Sequence, residues 1–280
     1  MKTGLVLEGG GMRALFSAGV MDVMLEHGIR FDGIVGVSAG ATFGCNYKSH
    51  QPGRVLRYNL RFKDDPRYMG LRSLLRTGDL VGADFSYHTL PNELDIFDRD
   101  TYGHDPTVFH VVCTDVVTGK PVYHRIDSMD DEGLDWIRAS ASMPLVSRPV
   151  SLDGHLLLDG GIVDSIPLRY FQAQGFDHNV VILTQPKGFF KKKTRLMPLF
   201  HLFMRRYPAV IQAMACRHLM YNDELKFLEE QESLGHILLI CPQNTLPIGR
   251  TEQKESKMRR VYGMGRQTGE EMIQAIKDFL

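Results

Sequence analysis

Residues 36–40, Gly-Val-Ser-Ala-Gly, form a G-x-S-x-G pentapeptide. At a strand-to-helix turn this pattern forces a serine hydroxyl out of a sheet, where it can act as a nucleophile. Gly36 and Gly40 flank Ser38 and relieve the crowding that such an elbow creates. Upstream, Gly9, Gly10 and Gly11, followed by Arg13, close another apolar run in "GLVLEGGGMR". A glycine loop there can offer backbone N–H groups to an oxyanion while the second loop presents the oxygen nucleophile. Serine at its ordinary pKa also needs a base within hydrogen-bond reach. Asp159 is suited to that role, because it ends an apolar run and precedes Gly160 and Gly161, which let a neighbouring backbone come close.

Two other chemistries compete for the same residues. Gly9, Gly11 and Ala14 also satisfy G-x-G-x-x-A, the dinucleotide fingerprint of an oxidoreductase. That fingerprint needs an acidic residue at the end of the next strand; "VGVSAG" stands there, and Asp32 precedes the strand. A Walker phosphate loop fails for want of Gly-Lys-Ser/Thr. His178, His201, His218 and His236 all follow Asp159, so the order Ser, Asp, His of a conventional triad stays open, although none of them sits in a recognisable motif.

These groups must be held by a scaffold, and the hydrophobic pattern describes one. "TGLVLEG" and "FDGIVGVS" read as short buried strands, and "ALFSAGVMDVMLEHG" between them repeats apolar residues at helical spacing. "TVFHVVCTDVVTG" and "NVVILTQ" add strands of the doubly buried type. "GLDWIRASASM" and "LRYFQAQG" read as helices, and Asp153-Gly154 as a hairpin turn. Alternation of strand and helix predicts an α/β fold with a mainly parallel sheet. Residues 52–105, polar and rich in turn formers, are expected to make a helical excursion over one face. A closing amphipathic helix is expected over 252–280. No repeat or Pro/Gly/Ser-rich linker interrupts the chain, so one domain over 1–280 is expected.

Composition narrows the class. The 280 residues are 43% hydrophobic and carry 33 basic and 33 acidic residues, so no global field favours nucleic acid. The four cysteines, Cys45, Cys113, Cys216 and Cys241, lack metal-ligand spacing and read as reduced thiols of a cytoplasmic protein. No metal or cofactor is expected.

The blocks "GGGMR", "GVSAG" and "DGG", the last preceded by "ASASMPLVSRPV", together resemble the patatin-like phospholipases over residues 4–167. The resemblance implies a three-layer α/β/α sandwich and a Ser-Asp dyad, with Ser38 as nucleophile and Asp159 as base. Gly9, Gly10, Gly11 and Arg13 would form the oxyanion loop. It further implies phospholipase or lysophospholipase-type hydrolysis of a lipid or fatty-acyl ester through an acyl-enzyme. A catalytically silent lipid-binding or regulatory protein on the same scaffold is the other reading. Ala14 stands where the family commonly has glycine, and Asp164-Ser165 where asparagine is frequent.

Residues 178–222 contain no aspartate or glutamate but eight cations: Lys187, Lys191, Lys192, Lys193, Arg195, Arg205, Arg206 and Arg217. Aromatic and aliphatic residues are interleaved with them. Such a mixture suits an interfacial segment whose rings enter acyl chains while cations meet lipid phosphates. Phe189 and Phe190 with Lys191, Lys192, Lys193 and Arg195 are therefore expected to touch an anionic membrane, peripherally and at its inner face.

Overall fold

The computed structural model describes residues 2–280. Its eight strands are β1 (Lys2–Leu7), β2 (Gly33–Val37), β3 (Val108–Asp115), β4 (Pro121–Arg125), β5 (Val150–Leu152), β6 (His155–Asp159), β7 (Phe176–Ile182) and β8 (Ile237–Ile240). They form one sheet, hydrogen-bonded in the sequence β5-β6-β3-β2-β1-β7-β8, with β4 also paired to β3. The run β3-β2-β1-β7-β8 is parallel. The pairs β3-β4, β3-β6 and β5-β6 are antiparallel, so the sheet is mixed although mainly parallel.

The sheet is covered on both faces, giving three layers. Strand side chains alternate between them: Leu5, Leu7, Ile34 and Phe109 enter one core, and Val6, Val35, Val37 and Val112 the other. The first core lies under α1 (Leu15–Glu26), α2 (Ala39–Lys48) and α10 (Glu255–Phe279). The excursion anticipated over 52–105 is helical: α3 (Arg54–Phe62), a π-helical stretch over Phe85–Leu94 that carries Pro91, and α5 (Arg99–His104) join this side, while α4 (Leu71–Thr77) contributes no side chain to this core. Also on this side, α6 (Asp131–Ser140) starts at an Asp130 cap whose side chain accepts from the Gly133 N–H. The opposite core is closed by α7 (Leu168–Ala173) and α9 (Pro208–Ser233), which contribute Leu168, Phe171, Tyr221 and Leu228. A third, smaller cluster lies beneath α8 (Met197–Phe203), where Phe200 and Met204 pack with Leu158 and Ile162.

Helix α1 is buried almost along its whole length, from Leu15 to Met24. It meets α10 at a crossing lined by glycines. A side chain at Gly19 would run into the Tyr262 carbonyl, and one at Gly265 into the Phe16 carbonyl. This close approach explains glycines in the middle of long helices, where they otherwise cost stability.

One feature of the sheet positions the site. β2 and β4 flank β3 on opposite edges over residues 110–112. At Cys113 and Thr114 β4 still holds its own edge, and β6 pairs there too. β6 therefore takes over the edge that β2 vacates, with Val37 opposite Val112 and Asp159 opposite Cys113. Ser38, leaving β2, and Asp159, ending β6, meet at that junction.

Candidate active site

Ser38 links β2 to α2 and adopts φ 56°, ψ −124°, a left-handed conformation that a non-glycine residue rarely takes. Its neighbours make the turn feasible. A Cβ on Gly36 would lie 2.7 Å from the Ala41 backbone, and one on Gly40 would strike the Leu7 carbonyl. The strained backbone is anchored by the Ser38 N–H, which donates to Ser140 Oγ at 3.0 Å, while Ser140 donates to the Val112 carbonyl at 2.7 Å. Ser140 is buried and couples the elbow to β3. The Ser38 N–H is thereby occupied, so any oxyanion donors must come from elsewhere.

Asp159 is buried and held from several sides. Its N–H donates to the Ser142 carbonyl at 2.8 Å, its carbonyl accepts from Thr114 Oγ1 at 2.8 Å, and its Oδ1 accepts from the Gly161 N–H at 2.8 Å. Burial raises its pKa above the usual carboxylate value. The Ser38 hydroxyl, the Gly161 N–H, Arg217 and Arg250 act in the opposite direction by favouring the charged form. A carboxyl with raised basicity beside a serine hydroxyl suits proton transfer near neutral pH.

The glycine loop lies against the elbow. A Cβ on Gly9 would be 2.9 Å from Ser38 Cβ, so a larger residue would displace the serine. Gly10 has no room beside Thr184, and Gly11, at φ 58°, has none beside the Arg250 carbonyl, which accepts from the Met12 N–H at 2.9 Å. Among the described residues, the N–H groups of Gly9, Gly10 and Gly11 have no protein acceptor. Three free donors beside a serine are what an oxyanion requires. The loop is braced by buried Glu8, whose carboxylate accepts from the Thr184 N–H at 2.6 Å and from the Tyr221 hydroxyl at 2.6 Å.

Ser38, Asp159, the three glycines and Arg13 line a single cavity of about 560 Å³. Arg13 is half-buried, and its Nε is buried without a partner. A second, smaller and mainly apolar cavity of about 120 Å³ also reaches Ser38 and runs beneath α2 past Thr42, Phe43, Tyr58 and Leu134.

The basic segment is divided by the structure. Phe190, Lys192, Lys193 and Arg195 are exposed. Lys191 departs from the expectation of a membrane contact: it turns inward, lines the larger cavity, and places Nζ 3.7 Å from the centre of the Tyr221 ring. Burial, Arg217, Arg250 and Arg13 lower its pKa to about 7, against an upward pull from Glu8. Phe189 also turns inward, edge-on to Tyr221 at 6.0 Å between ring centres. Both side chains satisfy the core on the α9 side of the sheet, a demand that the local run of lysines hides. Of the four downstream histidines, His218 alone lines the cavity, and its Nδ1 has no partner. His178 stacks on Phe279, His236 bonds Gln231, and His201 is exposed on α8.

Several participants escape a reading of the motifs. Ser140 lies in "ASASMP", Glu8 is the lone charge ending a buried strand, and Arg217 stands among seven other cations. Glu8 carried the clearest signal, because a carboxylate inside an apolar run must find partners.

Comparison with known proteins identifies the family. The model for patatin-like phospholipases matches residues 5–171, and the chain belongs to that family. A domain of unknown function, DUF6363, matches residues 207–280. The chain is 27% identical over 301 aligned positions to the uncharacterized protein YjjU of Escherichia coli, covering 99% of this chain and 78% of that one. It is 27% identical to lysophospholipase nte1 of Aspergillus oryzae over 62% of this chain but only 11% of that protein. Among solved structures, VipD of Legionella pneumophila aligns with a TM-score of 0.48 at 14% identity, over 98% of this chain and 67% of that one.

Proposed function

We propose that the protein is a serine lipid acyl hydrolase of the phospholipase or lysophospholipase type, with Ser38 as nucleophile and Asp159 as base. The observation that carries this reading is the junction of β2 and β6 on one edge of β3. It brings a left-handed serine, a buried carboxylate and three unbonded glycine N–H groups into one cavity.

In this mechanism Asp159 takes the proton of Ser38 as its oxygen attacks the ester carbonyl. The developing oxyanion is met by the N–H groups of the Gly9–Gly11 loop, each important donor contributing about 2.7–4 kcal/mol in comparable hydrolases. The positive end of α2, which begins immediately after Ser38, adds roughly 0.3–2 kcal/mol. Asp159 returns the proton to the leaving alcohol, and the same carboxylate then activates the water that releases the fatty acid. Arg13 lines the cavity without a resolved hydrogen bond to the loop, so its charge bears on the wider cavity.

Supply of substrate from a membrane is consistent with the outer surface. No helix among the described residues is long and apolar enough to cross a bilayer. Exposed Leu199, Leu202 and Phe203 on α8, with Phe190, Lys192, Lys193 and Arg195 beside them, instead form a face suited to peripheral contact with anionic lipid on the cytoplasmic side.

The deciding experiment is fluorophosphonate labelling together with a lipid-ester panel. Wild type should label at Ser38 and hydrolyse a long-chain ester. Ser38→Ala and Asp159→Asn should each lose about a thousandfold or more in kcat while remaining folded, because nucleophile and base act as one unit. Substantial turnover by either folded variant sinks the dyad. A folded wild type that binds lipid but neither labels nor turns over is a silent lipid-binding scaffold instead.

A further inference from the structure

The turn that follows Asp159 is held by a second buried carboxyl group that the acyl-transfer chemistry does not use. Gly161 donates its N–H to Asp159 Oδ1 at 2.8 Å, and its carbonyl accepts from Ser165 Oγ at 2.9 Å and from Arg217 Nε. The Ser165 N–H donates in turn to Glu224 Oε1 at 3.0 Å. Arg217 and Glu224 lie two helical turns apart on α9 and so share one face of that helix. Helix α9 therefore grips the turn at two points, and both belong to the segment that matches a domain of unknown function.

Glu224 meets an acid rather than a base. Its Oε2 is buried and, among the described residues, receives no hydrogen bond from any N–H or hydroxyl. The group it faces is the Asp164 carboxyl, whose Oδ2 accepts from the Tyr123 hydroxyl at 2.7 Å. Two carboxyl groups with outside donors and none between them are joined only by a proton. Glu224 Oε1, which takes the Ser165 N–H, is then the carbonyl oxygen, and Oε2–H donates to Asp164. Burial and then Asp164 push Glu224 up to about 9, and burial raises Asp164 as well. The surroundings supply no replacement for that proton. Tyr123 on β4 is itself pushed upward and stays a donor to Asp164. Tyr170 on α7 stacks on Tyr123 at 3.7 Å and bonds His110 of β3. Arg169 on α7 pairs with Asp223 at 3.0 Å, and on α9 itself Tyr221 is engaged with Glu8 and Arg217 with the turn.

We propose that Glu224, sharing one proton with Asp164, is a positioning residue for Asp159: it fixes Ser165, and through Ser165 the Gly161 N–H that aims the base at Ser38. The effect on rate rests on the hydrolase reading, whereas the shared proton and the held turn do not. Loss of the proton would leave two adjacent charges in a buried site, where repulsion drives α9 and the turn apart. Asp159 should therefore lose its orientation as pH rises through about 9.

Glu224→Gln keeps an acceptor for the Ser165 N–H and offers amide hydrogens to Asp164, whereas Glu224→Ala keeps neither. In infrared spectra at about pH 7.5, wild type should show the carbonyl band of a buried, protonated carboxylic acid that Glu224→Gln and Asp164→Asn both lack. Amide hydrogen exchange over residues 160–165 should be at least about tenfold faster in Glu224→Ala and unchanged in Glu224→Gln. With a long-chain ester, kcat of Glu224→Ala should fall at least about tenfold with KM within about twofold, and Glu224→Gln should restore it near pH 7. Wild-type kcat should decline through about pH 9, and Glu224→Gln should lack that decline. A band that survives in both single variants overturns the shared proton. Unchanged exchange in folded Glu224→Ala, or an alkaline decline that Glu224→Gln retains, overturns the positioning role. If Glu224→Ala does not fold, the band and the pH profile of Glu224→Gln decide alone. In a wild type without hydrolytic activity, loss of the band together with faster exchange supports the carboxyl-held turn and rejects only the hydrolase.

Discussion

Asp159 illustrates how a buried carboxylate and a stable fold oppose each other. Its pKa is raised by burial, so the folded protein holds this proton more tightly than the unfolded chain does. Its contribution to stability is full below the unfolded value of 3.8 and is lost as pH rises through the folded value. Asp159→Asn keeps an acceptor for the Gly161 N–H but has no charge to bury. Its Tm should exceed that of wild type at pH 8, by a few degrees if the gain is about 1 kcal/mol, with the gap narrowing towards pH 4. Thermal melts at the two pH values check this; an equal or lower Tm at pH 8 would show that Arg217 and Arg250 outweigh the desolvation. Lys191 has the opposite chemistry. Its ammonium, lowered to about 7, faces Arg13, Arg217, Arg250, Glu8 and the Tyr221 ring. Its charge is present below that value and lost above it. At this scale the sequence was most legible where special backbone is needed: Ser38 between two glycines, and Asp159 before two more. Lys191 was misleading, since three adjacent lysines look alike until one of them finds a tyrosine ring.

Elements determine which of these residues meet. The strand runs around Val35, Val111 and Val181 were readable because continuous apolar residues demand cover on both faces. The pairing of Ser38 with Asp159 was suggested by the family resemblance, but the strand placement that brings them together was not readable. It depends on β2 and β6 meeting along one edge of β3, and strand register leaves no mark in a run of valines. α8 is a second element whose purpose shows only in its environment. Phe200 anchors it, while Leu199, Leu202 and Phe203 face solvent at 42%, 63% and 67% exposure. Large apolar groups on one rim beside Lys192, Lys193 and Arg195 should insert into an anionic interface, each cation adding about 1 kcal/mol. Leu202→Asp with Phe203→Asp should cut co-sedimentation with anionic vesicles at least tenfold while leaving Tm within a few degrees, because neither side chain is packed. Reversal of Lys192 and Lys193 to glutamate should act similarly at low salt and weaken as the Debye length shrinks below about 8 Å. Equal sedimentation of wild type and both variants would make this face an ordinary solvated surface.

The whole molecule depends on pieces far apart in sequence. Residues 207–280 supply α9 to one face of the sheet, β8 to its edge and α10 to the other face. The glycine crossing of α1 and α10 has no tolerance for a side chain. Gly265→Val should destabilise by about 1–3 kcal/mol or more, since the new methyls meet the Phe16 backbone rather than a flexible side chain that could move. If the matched segments fold as one unit, denaturant unfolding of wild type and variant should each show one transition, with the variant's midpoint lower. Two separated transitions, or an unchanged midpoint, would show that α10 docks independently.

The same crossing sets a timetable for synthesis. α1 emerges early from the ribosome with apolar side chains from Leu15 to Met24, yet the helix that covers its outer side emerges only with Glu255–Phe279. At about 5–20 residues per second, that face waits roughly 10–50 s for its partner. A nascent chain in that interval is an unfinished hydrophobic surface, and a ready client for chaperones that hold such surfaces apart. Arg217 and Arg250 also arrive late, so the cavity gains its full charge only after the elbow, the carboxylate and the glycine loop have been made.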